Sequence, residues 1–142
     1  MAGVNTGKIV AGGLLAGLVL NIGDFLINAV IMAADFRAGL ERLGLDPGVM
    51  ESSSVALTWI VVDFLLGLLL VWTYAAMRPR FGPGPKTALL AAFPIFAGIT
   101  LIMLGLTNMG FFTMGIFVKS TVFSAINTAI GAVAGAWLYR EN

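Results

Sequence analysis

Apolar residues gather into four long runs, at about residues 9–34, 55–77, 87–107 and 112–138. Each is close to the ~20 residues that a helix needs to cross a bilayer. The second run begins after Ser52, Ser53 and Ser54, any of which can cap a helix. Pro94 falls inside the third, where a membrane helix tolerates it with a kink. The pattern predicts an all-α chain. Its fold is a single transmembrane domain over 1–142, a four-helix bundle running up-down-up-down with short connections.

Beyond the first run the pattern changes. In DFRAGLERLGLDPG, Phe36, Leu40 and Leu43 recur at helical spacing with Arg37, Glu41 and Arg42 between them. The first helix is expected to continue to about residue 43 as an amphipathic surface extension, stopped by Gly44 and Pro47. Between the second and third runs lies RPRFGPGPK, residues 78–86. Its three prolines and two glycines predict a stiff loop outside any helix. Its basic residues are placed to touch anionic head groups. It does not cradle a phosphate, because it lacks GxxxxGK[ST] and Pro83 and Pro85 have no N–H to donate.

Composition agrees with this picture and narrows the chemistry. The chain is 59% hydrophobic and 11% charged, with a mean hydropathy of +0.99. A soluble domain is about 25% charged, so too few polar side chains remain to cover a water-facing surface. The lipid bilayer is the expected surrounding. A net charge of +1 and no basic tract give no reason to expect a nucleic-acid partner. The sequence has neither cysteine nor histidine. That excludes disulfides, thiol chemistry, zinc held by His or Cys, His-ligated haem and a Ser-His-Asp triad. No cofactor and no metal are expected. Lys8 before the first run suggests a signal peptide, but the run is too long and carries Asp24 at its middle. It is expected to be retained as a first helix.

Loop charges predict the orientation. Lys8, Arg78, Arg80, Lys86 and Arg140 fall on one side, whereas Arg37 and Arg42 stand on the other among Asp35, Glu41, Asp46 and Glu51. Five cations against two put both termini in the cytoplasm. Trp72 with Tyr74, and Trp137 with Tyr139, form aromatic belts on that same side. Phe111, Phe112 and Phe117 mark the opposite interface, and the seven methionines are dispersed as packing residues.

Polar residues inside the runs carry the candidate chemistry. A charge at the centre of a membrane helix costs roughly 2.5–3.5 kcal/mol, yet Asp24 sits in NIGDFLINAV with asparagines on either side. Gly13, Gly17, Asn21, Asp24 and Asn28 share one helical face. Its first half is glycine, suited to close helix packing, and its second half is polar. The second run has Asp63 with Gly67, the third Thr100, and the fourth Lys119, Ser120, Ser124, Asn127 and Thr128, then Gly131 and Gly135. With each run centred in the bilayer, Asp24, Asp63 and Thr100 fall roughly 4 Å outside the midplane, Asn21 and Asn127 near it, and Asn28 and Lys119 about 9 Å out. A lysine side chain reaches the aspartate level. The expectation is an intramembrane cluster of Asp24, Asp63 and Lys119 with Asn21, Asn28, Asn127 and Thr100, containing a buried salt bridge. Fully ionised, it would carry one excess negative charge. One carboxyl is therefore expected to hold or share a proton.

YAAMRPRFGPGPKTAL and the ending AGAWLYRE resemble stretches of small bacterial four-helix membrane proteins of no assigned activity. The resemblance implies the four-helix layout and a bacterial inner membrane, and no activity, ligand or site. Catalysis is not expected. Intramembrane aspartyl proteases use G-x-G-D, but the first glycine is replaced by Asn21 here, and Asp63 stands in VVDFLL without their tyrosine.

Two functions fit these residues. In one, the protein is a small proton- or cation-linked transporter or channel. Asp24 and Asp63 are its site, Lys119 tunes them, and Asn21, Asn28 and Asn127 line the path. In the other, it is an accessory or assembly subunit of a larger membrane complex, with the cluster as internal glue. A homo-oligomer is expected in the first reading; in the second, the glycine faces dock partners of the membrane complex.

Overall fold

The computed structural model describes residues 4–139; Arg140, counted above among the cytoplasmic-side charges, lies outside the described residues. The described chain is helical, with α1 Thr6–Phe25, a π-helical segment Leu26–Ile31, α2 Ala33–Arg42, a 3₁₀ turn Pro47–Glu51, α3 Ser53–Phe81, α4 Pro85–Asn108 and α5 Met114–Leu138. Four stretches are long and apolar enough to cross a bilayer: Thr6–Ile31, α3, α4 and α5. This is the build of a multi-pass membrane protein. α1 packs against α3 and α5, and α4 packs against the same two helices from across the group.

The helices turn large apolar side chains outward and small ones inward. Val10, Leu14, Leu18, Ile22 and Phe25 line the exposed face of α1. Its buried face holds Gly12, Gly13, Ala16, Gly17 and Leu20. Lipid solvates leucine as well as a protein core does, so burial rewards close contact rather than apolarity, and small residues win the interior. Two seams result. On the α3 side, Gly13 and Gly17 lie under Leu68 and Phe64, and Gly67 lies against the backbone of Gly13 and Gly17. On the α5 side, Gly12 faces the Gly135 carbonyl, and Gly131 meets Leu20 and Ala16.

The RPRFGPGPK stretch departs from expectation. α3 continues through Pro79 to Phe81, and Pro85 and Lys86 already open α4. The connection is only Gly82, Pro83 and Gly84. Pro79 sits in the last turns of α3, where a missing N–H deprives the helix of a single bond. Pro85 takes the first turn of α4, where its N–H would be unpartnered anyway. The reversal itself needs glycine, with φ of 80° at Gly82 and 126° at Gly84. Tyr74 ties the turn down by accepting from the Gly84 amide at 3.1 Å. The Tyr74 ring stands edge-on to Tyr139, with centroids 6.0 Å apart, and the Arg78 guanidinium lies over the Tyr139 ring at 5.8 Å.

The amphipathic extension forms, but as a separate helix. The chain leaves α1 through the π segment, breaks at Met32 (φ −108°, ψ 8°) and re-enters α geometry at Ala33. Phe36 then packs with buried Ile27, Met32 and Ile116. Arg42 donates to the carbonyls of Gly110 at 2.7 Å and Phe111 at 3.3 Å, and Arg37 pairs with Glu51. α2 therefore lies over the start of α5.

Candidate functional site

Asp24 projects from the last turn of α1, half-buried, between α3 and α5. Asp63 meets it from α3 and is only 3% exposed. The two carboxyls lie side by side, within hydrogen-bonding reach of each other. From α5, buried Asn127 donates Nδ2–H to Asp24 Oδ1 at 2.8 Å and to the Leu20 carbonyl at 3.1 Å. Three membrane-spanning stretches thus supply one compact polar group.

Gly23 makes the group possible. A Cβ at this residue would collide with the Asn127 amide itself, so the amide occupies the space that a side chain would fill. The sequence carried this signal as a glycine beside the aspartate, but which helix faced it was not readable from the pattern. Gly12 was missed for the same reason.

The remaining polar residues of the predicted cluster lie around this group or away from it. Asn28 donates to the main-chain carbonyl of Asp24 at 2.8 Å, where α1 gives way to π geometry. Asn21 donates to the Gly17 carbonyl at 2.9 Å and across the α1–α3 seam to the Ile60 carbonyl at 3.3 Å. Neither asparagine bonds the carboxylate. Thr100 is half-buried on α4. It does not meet Asp24, because α4 packs on α3 and α5 from across the group. Ser120 bonds within its own helix, to the Phe117 carbonyl at 3.1 Å.

Lys119 corrects the expected buried salt bridge. Its Nζ lies 3.1 Å and 3.0 Å from the two carboxylate oxygens of Asp35. The side chains of this pair are 54% and 35% exposed. The break at Met32 swings α2 over the start of α5 and places Asp35 near the lysine. A long cationic side chain keeps its head in polar surroundings by reaching outward rather than down into the apolar interior. Such an exposed pair is worth ~0–1 kcal/mol. Lys119→Met is accordingly expected to shift the thermal midpoint only slightly and to leave the Asp24–Asp63 contact in place. A large loss of stability on that change would place the lysine back in the polar group.

What the arrangement can do chemically follows from its charges. A hydrogen bond between two carboxyls requires a proton, since a carboxylate only accepts. Removing that proton sets two negative charges side by side in low dielectric, where each opposes the other. Two carboxyls in such contact can hold one proton between them. Among the described residues no group of three or more acidic side chains forms a metal-binding cluster. No family model, no curated protein and no solved structure matches the chain.

Proposed function

We propose that the protein is a small proton-linked membrane transporter or channel in which the Asp24–Asp63 pair takes up and releases one proton. In this reading it is an up-down-up-down four-helix bundle of a bacterial inner membrane, with both termini cytoplasmic. One observation carries it. Two carboxyls on adjacent membrane-spanning helices lie within hydrogen-bonding reach of each other, while Lys119, the cation expected to neutralise them, is engaged by Asp35. Intramembrane acids that lack a resident counter-ion serve proton and ion traffic by default.

The accessory-subunit reading is favoured by a different observation. The glycine seams are tight, and Asp63 and Asn127 are 3% and 6% exposed, as a group serving only helix register would be. Flux separates the two. In proteoliposomes under a pH gradient, Asp24→Asn and Asp63→Asn are expected to remain folded and to lose proton flux at least about a hundredfold, the scale of a positioned proton-transfer group. Folded variants with undiminished flux, or a wild type silent under every gradient, put the accessory role ahead.

Orientation has its own test. The chain has no native cysteine, so single cysteines report without background. Pro83→Cys is expected to resist an impermeant thiol reagent in intact cells, and Gly48→Cys to react. The reverse labelling overturns the cytoplasmic placement of the α3–α4 turn.

A further inference from the structure

The polar group is not symmetric, and its asymmetry says where the proton rests. Asn127 Nδ2 carries two hydrogens, and both are assigned by geometry. One points to the Leu20 carbonyl at 3.1 Å, which can only accept. A flipped amide would set oxygen against oxygen there, so the nitrogen is the atom on this side. Its second hydrogen points to Asp24 Oδ1 at 2.8 Å. Asp24 therefore receives an amide donor, and its carboxyl is an acceptor in that bond. Asp63 has the more buried position, 3% exposed against half-buried Asp24. A negative charge is stabilised where donors point and opposed where burial is deepest.

We infer that the shared proton sits on Asp63, which donates it to an ionised Asp24, and that Asn127 is the positioning residue that imposes this order. The inference deepens the proton-site reading and rests on it for its functional meaning, though not for its test. The neighbouring charges leave the assignment undisturbed. On α5, Lys119 is held by Asp35. On α4, the charged residue is Lys86 in the first turn, beside the α3–α4 connection. On α3, Arg78 and Arg80 lie in the last turns, and on α1, Lys8 lies in the first. None of these lies within two helical turns of either aspartate along its own helix.

Asymmetry of this kind gives the pair a direction. Asp63 is the member that releases the proton, and Asp24 is the member that waits as its acceptor. Loss of the Asn127 donor weakens the preference without removing either acid.

The test reads each carboxyl separately, by ¹³C NMR of aspartate-labelled full-length protein in lipid bilayers at neutral pH. Asp24 and Asp63 signals are assigned by their loss in Asp24→Asn and Asp63→Asn. The expected wild-type spectrum has a protonated Asp63 carboxyl and an ionised Asp24 carboxyl. Asp24→Asn is expected to retain the protonated signal and Asp63→Asn to lose it. Asn127→Ala is expected to move the proton distribution toward Asp24 on the order of tenfold, the worth of one hydrogen bond to a charged group. A protonated Asp24 beside an ionised Asp63, two ionised carboxyls, or an Asn127→Ala spectrum identical to wild type would overturn the inference. Should Asn127→Ala fail to fold, the two Asn variants decide alone. A wild type that shows this spectrum yet carries no proton in liposomes keeps the assignment and fails the transport reading.

Discussion

Gly67→Ala is expected to lose most of its folded population. A Cβ at residue 67 would run into the carbonyl of Gly13 and the amide and Cα of Gly17, all backbone atoms. Backbone cannot rotate aside as a side-chain tip can. The only relief is to separate α1 from α3, and that separation also lifts Leu68 off Gly13 and Phe64 off Gly17. Over-packing a fitted interior costs typically 1–3 kcal/mol; a clash on backbone at a glycine seam belongs at or beyond the top of that range, about 3 kcal/mol or more. The same separation pulls Asp63 away from Asp24, one helical turn further along the seam. Gly98 and Gly105 on α4 are the controls, since nothing lies within 4 Å of a Cβ at either. Alanine there is expected to be neutral, or to add up to ~1 kcal/mol through helix propensity. Thermal unfolding in detergent and in lipid compares the three. A Gly67→Ala protein as stable as Gly98→Ala would mean that the α1–α3 seam is not closed in the membrane.

The second large effect is at Gly23. Gly23→Ala puts a methyl group where the Asn127 amide lies. The asparagine must rotate away, which breaks its bonds to Asp24 Oδ1 and to the Leu20 carbonyl together. Leaving buried polar groups unsatisfied costs about 1–3 kcal/mol each, so a loss of roughly 2–4 kcal/mol is expected. Here the obstructing atoms belong to a side chain, and this separates the site from Gly67. Adding Asn127→Ala removes the obstruction, so in that background Gly23→Ala should cost almost nothing. A double-mutant cycle is then expected to show a coupling on the order of 1–3 kcal/mol between residues 104 positions apart (23 and 127). Additive effects would show that Asn127 does not occupy the space beside Gly23.

These two glycines differ in how far the sequence revealed them. Gly67 could be found, because it falls four residues after an aspartate that had to face inward, and Gly13 and Gly17 lie on the face of Asp24. Gly23 could not be assigned a purpose. Nothing local to Gly23 says that an asparagine from α5 arrives at that spot. The π segment Leu26–Ile31 is a similar case: its residues fit α-helix equally well, and no local feature marks the change of hydrogen-bond pattern.

The sequence by itself determined the helices that can cross a membrane, because bilayer thickness translates directly into run length and apolarity. It also determined that Asp24 and Asp63 need an interior, because an unpartnered charge in lipid is costly. Spacing along each helix followed from rise per residue alone. Rotation about the axis and choice of neighbour did not, and those two quantities decide who bonds whom. Only the tertiary structure sent Lys119 to Asp35 rather than to the aspartate pair, through the break at Met32 that places α2 above α5. Only the tertiary structure set Thr100 on the helix across from α1 and brought the Asn127 amide into the gap at Gly23. The physical reason is common to all three. Position along a helix is a local property of the chain, whereas contact between helices is settled by packing of whole surfaces, in which a glycine or a one-residue change of helical pitch redirects every side chain beyond it.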